Sequence, residues 1–262
     1  MSDYPSPEYL NHRTLPVDFP FPPFTDISSA LKPTFRLYRD NIGQILKIVL
    51  ALYAPLVLAQ YFLPFLTDNW AWRIVLGLLN NAGYSLLAGA LIYSTVVYLR
   101  TGTNPNLSEC YRWGFRKWGV TLGCNILVGI YSGIGFVLLI IPGIFLLVLF
   151  SLVNPIIVIE DAGALDAMKR SDQLTRGYRW RIFGTLFVFG LITFGVSVFF
   201  RGGLFGPQKE SFGDAVISAL IIEVVQASTI IVALFIYLGI LSVSNKVYEP
   251  PPDVSPTLEQ ER

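Results

Sequence analysis

The sequence predicts an all-α polytopic membrane protein with six transmembrane helices, and three observations support this prediction. Residues 118–159 contain no Asp, Glu, Lys, Arg or His, and the run is long enough for two crossings at ~20 residues each. Hydrophobic residues make up 53% of the chain and charged residues 14%, whereas an ordinary soluble domain carries ~25% charged residues. The Lys and Arg residues also concentrate in alternate connections between the apolar runs. Lipid must therefore be the solvent for most of the chain.

The apolar runs place the six spans at Ile42–Leu66, Ile74–Leu99, Val120–Ile140, Gly143–Ile159, Ile182–Phe200 and Ala215–Val243. We expect three hairpins, each preceded by a cytoplasmic amphipathic helix. The turn between the third and fourth spans has two candidates, Pro142-Gly143 and the glycine-rich stretch Gly129–Gly135. We prefer Pro142-Gly143, because it puts proline in the first turn of the next helix and leaves the third helix long enough to cross.

Several small and polar residues inside the spans indicate how the helices pack. Asn125 and Asn154 are expected to hydrogen-bond to neighbouring helices, and Pro155 is expected to kink the fourth span. Two small-xxx-small pairs are expected to let helices approach closely: Gly119 with Gly123, and Gly129 with Gly133.

The distribution of basic residues predicts the orientation. All but three of the 19 Lys and Arg residues fall on the side that holds both termini, and the three exceptions are Arg73, Arg201 and Lys209. Basic residues are enriched in cytoplasmic connections. We therefore expect a multi-pass protein of the plasma (cell) membrane with both termini in the cytoplasm.

Composition also limits the domains and the chemistry. Residues 26–247 are expected to form one six-span membrane domain between two proline-rich, disordered tails, 1–25 and 248–262. Cys110 and Cys124 form no Cys-x-x-Cys pair, and the chain has a single histidine. This argues against a zinc site of the Cys and His type. We expect no metal and no cofactor.

Two amphipathic segments repeat about eighty residues apart. Each places an apolar stripe beside a basic one: Leu31, Phe35 and Tyr38 beside Lys32, Arg36 and Arg39, then Tyr111, Phe115 and Trp118 beside Arg112 and Arg116. A third segment, Leu165–Arg176, follows the pattern only in its first part. Three units of basic amphipathic helix plus transmembrane hairpin are the predicted plan.

Such helices lie in the membrane interface, with aromatic side chains in the acyl boundary and cations among lipid phosphates. Membrane lipids with anionic headgroups are therefore the expected partners, together with a protein partner or a second copy of the chain. Simple anchoring is the alternative explanation. A nucleic-acid role is disfavoured, because the basic residues stay close to span ends. The candidate lipid or anionic-ligand contacts are Lys32, Arg36, Arg112, Arg116, Lys169, Arg170, Arg179 and Arg181.

Glu223 is an acid well inside the last predicted span, and Gln226 shares its helix face. An unpaired carboxylate in lipid costs several kcal/mol, so Glu223 needs a partner, water or a proton. One interpretation is an intramembrane polar site in a proton or cation pathway. The other is a structural hydrogen bond to a neighbouring helix, with Asn80, Asn81 or Arg201 as the candidates.

Other charged and aromatic residues near span ends have structural interpretations. Glu160 and Asp161 are expected to pair with basic residues of the fourth connection rather than to hold a cation. Lys47 is expected to extend to the interface, and Trp180 to serve as an interfacial anchor. Gly177 is expected to take the left-handed position beyond a helix end.

One stretch, residues 140–183, carries a resemblance to a known family. Its elements are Ile141-Pro142-Gly143-Ile144, Asn154-Pro155, Ile159-Glu160, Gly163-Ala164-Leu165-Asp166-Ala167, Arg170-Ser171, Leu174-Thr175-Arg176-Gly177 and Trp180-Arg181-Ile182. It resembles the membrane domain attached to some glycerophosphodiester phosphodiesterases, and related six-span bacterial proteins of unknown function. Catalysis in those enzymes belongs to a separate soluble barrel with acidic and histidine residues. The lone histidine here is His12, so the resemblance implies a membrane module for lipid or envelope upkeep rather than a hydrolase.

Three functions are consistent with these sequence features. The favoured one is a non-catalytic integral membrane protein, a scaffold or accessory factor in lipid or envelope maintenance. The second is a small transporter or channel with Glu223 in an ion or proton path. An intramembrane enzyme acting on lipids comes third, because no pair of titratable groups converges in the sequence.

Overall fold

The computed structural model describes residues 21–66, 70–200 and 212–244, which are helical apart from short connections and contain no strand. In chain order the helices are α1 (Ile27–Leu66), α2 (Trp70–Thr101), α3 (Leu107–Leu138), α4 (Ile140–Leu149), α5 (Val153–Glu160), α6 (Ala164–Thr175), α7 (Arg179–Phe200) and α8 (Phe212–Ser244). The predicted all-α class is confirmed for these residues.

Six apolar helical stretches are long enough to cross a membrane: Ile27–Gln60, Ile74–Thr101, Leu107–Leu138, Ile140–Glu160, Arg179–Phe200 and Gly213–Val243. The predicted set of six is confirmed. The first and third begin earlier than predicted, because their amphipathic segments run directly into the spans. α1 bends at Asn41, whose φ of −129° and ψ of 22° are not helical, whereas α3 continues without a break.

The turn between the third and fourth spans lies at Leu139, which is extended between α3 and α4. Pro142 then falls in the first turn of α4, where its missing N–H is not needed. The turn therefore lies three residues before the preferred Pro142-Gly143, which falls inside α4, and the rival Gly129–Gly135 lies inside α3. The tip is apolar and open: Val137 is 87% exposed and Ile141 is 81% exposed.

The fourth span breaks between α4 and α5, at residues 150–152. Pro155 cannot donate the hydrogen bond that the Ser151 carbonyl would receive in a continuous helix. The predicted effect of Pro155 is confirmed. The chain that follows is deeply buried, with every residue of 155–160 in the core, so α5 is the central element of the bundle.

Close helix contacts occur at glycines other than those predicted. A Cβ on Gly89 would lie 2.7 Å from the Gly114 Cα, and one on Gly135 would lie 2.9 Å from the Gly143 Cα. The pairs Gly119/Gly123 and Gly129/Gly133 have open space at all four positions. The expectation that these two pairs bring helices together is therefore wrong.

The segment before α1 packs on the far end of the chain. Phe24 is buried, its N–H donates to the Gly239 carbonyl at 3.0 Å, and Phe21 stacks on Phe235 at 5.3 Å. Residues 21–25 therefore belong to the folded domain rather than to a disordered tail. Residues 1–20 and 248–262 lie outside the described residues.

Candidate lipid-facing site

The two amphipathic segments match in three dimensions. Phe35 is 61% exposed and Phe115 is 60% exposed, and each precedes an exposed arginine, Arg36 or Arg116. The sequence pattern put these phenylalanines on an apolar face separate from the cations. Instead, each aromatic ring lies on the outer face with its arginine, because the inner face is closed by other residues.

The inner faces of the two segments correspond position by position. At four corresponding positions the residue is buried in both segments: Ala30 and Cys110, Thr34 and Gly114, Leu37 and Lys117, and Asn41 and Thr121. Exposure and burial therefore follow the same offset as the sequence repeat. This agreement indicates two copies of one structural unit.

A matched contact also fixes each unit to the connection that follows it. Gln44 donates through Nε2 to the Pro105 carbonyl at 2.9 Å. At the corresponding position, Cys124 donates through Sγ to the Ala164 carbonyl at 3.4 Å. In both cases the carbonyl lies at or near the start of the next amphipathic segment. The contact therefore sets where that segment leaves the bundle.

α6 is the third amphipathic segment, and it stands apart from the span that follows. Its inner face is formed by Ala167, Met168, Ser171, Leu174 and Thr175. The Ser171 Oγ donates at 2.6 Å to the carbonyl of Leu149, the last residue of α4. This bond uses a carbonyl that the break in the fourth span leaves without its helical partner. α6 ends before Gly177, whose φ of +86° confirms the predicted left-handed position.

Asp172 organises the junction of α6 and α7. Its carboxylate accepts from Arg176 at 2.6 Å and from Arg179 at 2.5 Å. The hydrogen bond from Arg176 is the main reason that the pKa of Asp172 lies below its ordinary value, and the charges of both arginines add to it. Arg179 also lies 4.8 Å from the centre of the Phe145 ring.

A buried acid, Glu160, joins α5, α6 and α8. The Tyr237 hydroxyl donates to Glu160 Oε1 at 2.8 Å, and Arg170 Nε lies 3.5 Å from Glu160 Oε2. Glu160 is 9% exposed, so this arrangement compensates a charge taken out of water. The predicted pairing of Glu160 with the fourth connection is confirmed.

Asp161 pairs with a different partner from the one predicted. It forms an ion pair with Lys117 of α3, rather than with a basic residue of α6 or α7. Lys117 is buried and lies 5.5 Å from the centre of the Trp113 ring. Asp161 is left-handed, with φ of +58°, a conformation that Asp tolerates better than most residues.

An apolar groove runs between α4 and the start of α7. Its volume is about 660 Å³, and its walls are Ile141, Ile144, Phe145, Val148, Gly177, Arg179, Trp180 and Phe183. Trp180 is 84% exposed, as suits an aromatic anchor at an interface. The groove thus combines an apolar wall with one guanidinium, which is ion-paired with Asp172.

A second cavity of about 560 Å³ adjoins the groove, and Ile144, Val148 and Phe183 line both. Its polar lining includes Asn125 and Asn154. These asparagines also join helices as predicted. Asn125 donates to Ser85 Oγ at 3.0 Å, and Asn154 shares a hydrogen bond with Tyr84.

Six of the eight predicted cationic contacts lie on the surface: Lys32, Arg36, Arg112, Arg116, Lys169 and Arg181. Arg116 lies 5.5 Å from the Trp113 ring, and Arg181 lies 5.9 Å from the Tyr178 ring. Arg170 and Arg179 instead join the ion pairs with Glu160 and Asp172.

Glu223 and Gln226 differ in their exposure. Glu223 is half-buried and Gln226 is exposed. Glu223 interacts electrostatically with Tyr53 of α1, whereas Asn80, one of its candidate partners, accepts from Gln60 at 2.9 Å. Neither Glu223 nor Gln226 lines the groove or the adjoining cavity.

The ranges that the structure describes contain no group of three or more His, Cys, Asp and Glu residues placed to hold a metal ion. Cys110 and Cys124 are buried free thiols.

The sequence did not predict the groove between α4 and α7, because the apolar residues of any span look alike. The one available signal was Arg179 beside Trp180 at the start of a span.

Six long apolar helices define the class: an α-helical multi-pass membrane protein. Residues 62–244 match the family described as "Domain of unknown function (DUF7847)", and the chain belongs to that family. The match begins near the end of α1 and closes with α8. Of the two exposed Phe–Arg pairs, it therefore includes Phe115–Arg116 but not Phe35–Arg36. No curated protein and no solved structure matches the chain.

Proposed function

We propose that this protein is a non-catalytic, lipid-binding membrane module, a scaffold or accessory factor in lipid or envelope maintenance. In this proposal it lies in the plasma membrane with both termini cytoplasmic. The matched exposure of Phe35–Arg36 and Phe115–Arg116 supports it most strongly. An exposed ring suits the acyl boundary, and a guanidinium beside it suits a lipid phosphate.

The groove between α4 and α7 provides further support. Phe145, Trp180 and Phe183 offer a wall for an acyl chain, and the ion pair of Arg179 with Asp172 lies beside it. The resemblance of residues 140–183 to phosphodiesterase-linked membrane domains, which is itself still a proposal, fits a role in lipid upkeep. Lipid binding by the repeated segments and by the groove would let the protein gather anionic lipids around itself.

The test measures retention of an anionic lipid. The full chain is reconstituted in nanodiscs of phosphatidylcholine and phosphatidylglycerol, and retained lipids are counted by native mass spectrometry. Each basic residue near an anionic leaflet contributes roughly 1 kcal/mol. The double variant Arg36→Gln/Arg116→Gln should therefore weaken phosphatidylglycerol retention by roughly 30-fold.

A charge-matched control separates the two segments from net charge. The double variant Arg39→Gln/Arg176→Gln also removes two exposed cations, but neither Arg39 nor Arg176 follows an exposed phenylalanine. It should retain phosphatidylglycerol nearly as well as the wild type. Equal loss in the two double variants would refute a specific role for the Phe–Arg pairs.

Transport is the second candidate, and Glu223 is the observation that favours it. A half-buried carboxylate inside an apolar span is a functional-site hypothesis by default. In proteoliposomes, Glu223→Gln should abolish proton- or cation-dependent flux if Glu223 carries it, while α1 and α8 stay associated. A wild-type protein without flux would remove this candidate.

A further inference from the structure

A polar pocket lies at the bend of α1, away from the groove and the adjoining cavity. Its volume is about 470 Å³, and it is formed by the α1 bend around Asn41 and Lys47 together with residues 104–107, which lead into α3. Asn41 has non-helical φ and ψ. The bend therefore turns the Asn41 side chain toward the connection between α2 and α3, where Asn104 meets it.

The carbonyl acceptors that hold this pocket together are already engaged. Asn41 Oδ1 accepts from Asn104 Nδ2 at 2.9 Å, and the Pro105 carbonyl accepts from Gln44 Nε2 at 2.9 Å. These bonds fix the connection against α1.

The donors come from a side chain, a cation and a helix end. Asn41 is only 7% exposed, and its Nδ2 has no hydrogen-bond partner within the described part of the chain. Lys47 lines the same pocket. Asn106 is the N-cap of α3, but its side chain makes no capping bond. The Glu109 N–H donates to the Asn106 carbonyl at 3.1 Å, which leaves the N–H groups of Leu107 and Ser108 for an anion.

Charge favours an anion as well. Asp40 lines the pocket, but its carboxylate accepts from Arg39 at 2.9 Å, which balances its charge. Lys47 then adds a positive charge, and the N-terminus of the long helix α3 adds a partial one, which Glu109 in its first turn partly offsets. A buried donor, an ammonium and the first two backbone amides of α3 beside one pocket suit an oxyanion with several acceptor oxygens.

We propose that this pocket binds a phosphate group, carried either by a lipid headgroup or by a small soluble phosphate. Asn41 Nδ2, Lys47 Nζ and the N-terminal amides of α3 are the donors. This site goes beyond the proposed function, because it uses none of the eight cations assigned to the membrane surface. From the sequence, Lys47 was expected only to extend to the membrane interface.

The test compares two phosphate sources on the full chain. Inorganic phosphate binding is measured by equilibrium dialysis on the protein in phosphatidylcholine nanodiscs. Headgroup binding is measured by native mass spectrometry after reconstitution with dilute phosphatidic acid. A signal with inorganic phosphate supports a soluble ligand, and a signal with phosphatidic acid alone supports a lipid ligand.

Two variants probe the donors independently. Lys47→Gln removes the ammonium at an exposed position, and Asn41→Asp replaces the buried donor with an acceptor of the same shape. Each should weaken binding about tenfold or more. Should Asn41→Asp fail to fold, Lys47→Gln alone decides. Arg176→Gln, which removes a cation elsewhere, should bind phosphate as the wild type does.

The proposal of a phosphate site is wrong if neither phosphate source binds, or if Lys47→Gln binds phosphate as tightly as the wild type. The double variant Arg36→Gln/Arg116→Gln separates the two proposals. It should lose phosphatidylglycerol retention while keeping the phosphate pocket, so that failure of one proposal leaves the other measurable.

Discussion

Substituting Gly89 by alanine should separate α2 from α3 at the level of the second Phe–Arg pair. The new methyl group would lie 2.7 Å from the Gly114 Cα and 3.4 Å from the Gly114 carbonyl oxygen. Both are backbone atoms, which cannot rotate away as a flexible side chain can. Gly114 immediately precedes Phe115, so the contact also sets how that ring is presented.

The magnitude follows from the distance. Carbon atoms reach ordinary contact at ~3.5–4.0 Å, so the helices must move apart by about 1 Å. Overpacking of this kind costs ~1–3 kcal/mol, and the better helix propensity of alanine returns up to ~1 kcal/mol. We expect Gly89→Ala to destabilise the fold by roughly 1–2 kcal/mol.

Gly123→Ala is the matched control, because nothing lies within 4 Å of a Cβ at Gly123. It makes the same chemical change in the middle of α3 without a clash. Thermal unfolding in detergent, followed by the loss of the monodisperse species, should rank Gly123→Ala at or above the wild type and Gly89→Ala below it. Equal stability of the two variants would show that the close approach of α2 and α3 carries no packing cost.

Two further predictions concern the ion pairs. Glu160→Leu leaves Arg170 without its buried carboxylate and Tyr237 without its acceptor, so it should cost about 3–5 kcal/mol in the same unfolding assay; a change below about 1 kcal/mol would contradict this. The pKa of Asp172 is lowered in the fold, chiefly by the hydrogen bond from Arg176. Its ion pairs therefore stabilise the protein fully above the ordinary pKa of 3.8. This stabilisation is lost as the pH falls through the lower pKa that Asp172 has in the folded protein. Asp172→Asn should therefore flatten the acid limb of a stability–pH profile recorded by tryptophan fluorescence, and an unchanged limb would exclude the effect.

Local chemistry explains what the sequence predicted correctly. Residues 118–159 contain no charge, which requires two adjacent spans. Pro142 and Pro155 act through the N–H that each lacks, so their effects depend on nearby residues alone. Gly177 acts through its own backbone freedom. Such features can be predicted without knowing which helices are neighbours.

Features that depend on helix neighbours could not be predicted in the same way. Lys117 reaches Asp161 only because α3 and α5 pair at that level, and sequence distance gives no indication of it. Gly119 and Gly129 belong to well-formed small-xxx-small pairs, yet no atom of the described helices lies within 4 Å of a Cβ at either position. The phosphate pocket depends on Asn41 meeting the connection between α2 and α3, and its only signal was an asparagine at a helix bend.

The open, apolar tip around Leu139 has a consequence for biogenesis. Insertion of a helical pair usually requires a hydrophilic loop to be carried through hydrocarbon, which is costly for each charge it contains. The α3–α4 tip contains no charged residue, and the Leu139 N–H already donates to the Gly135 carbonyl at 3.0 Å. We therefore expect the α3–α4 pair to insert without a charged connection having to cross the hydrocarbon.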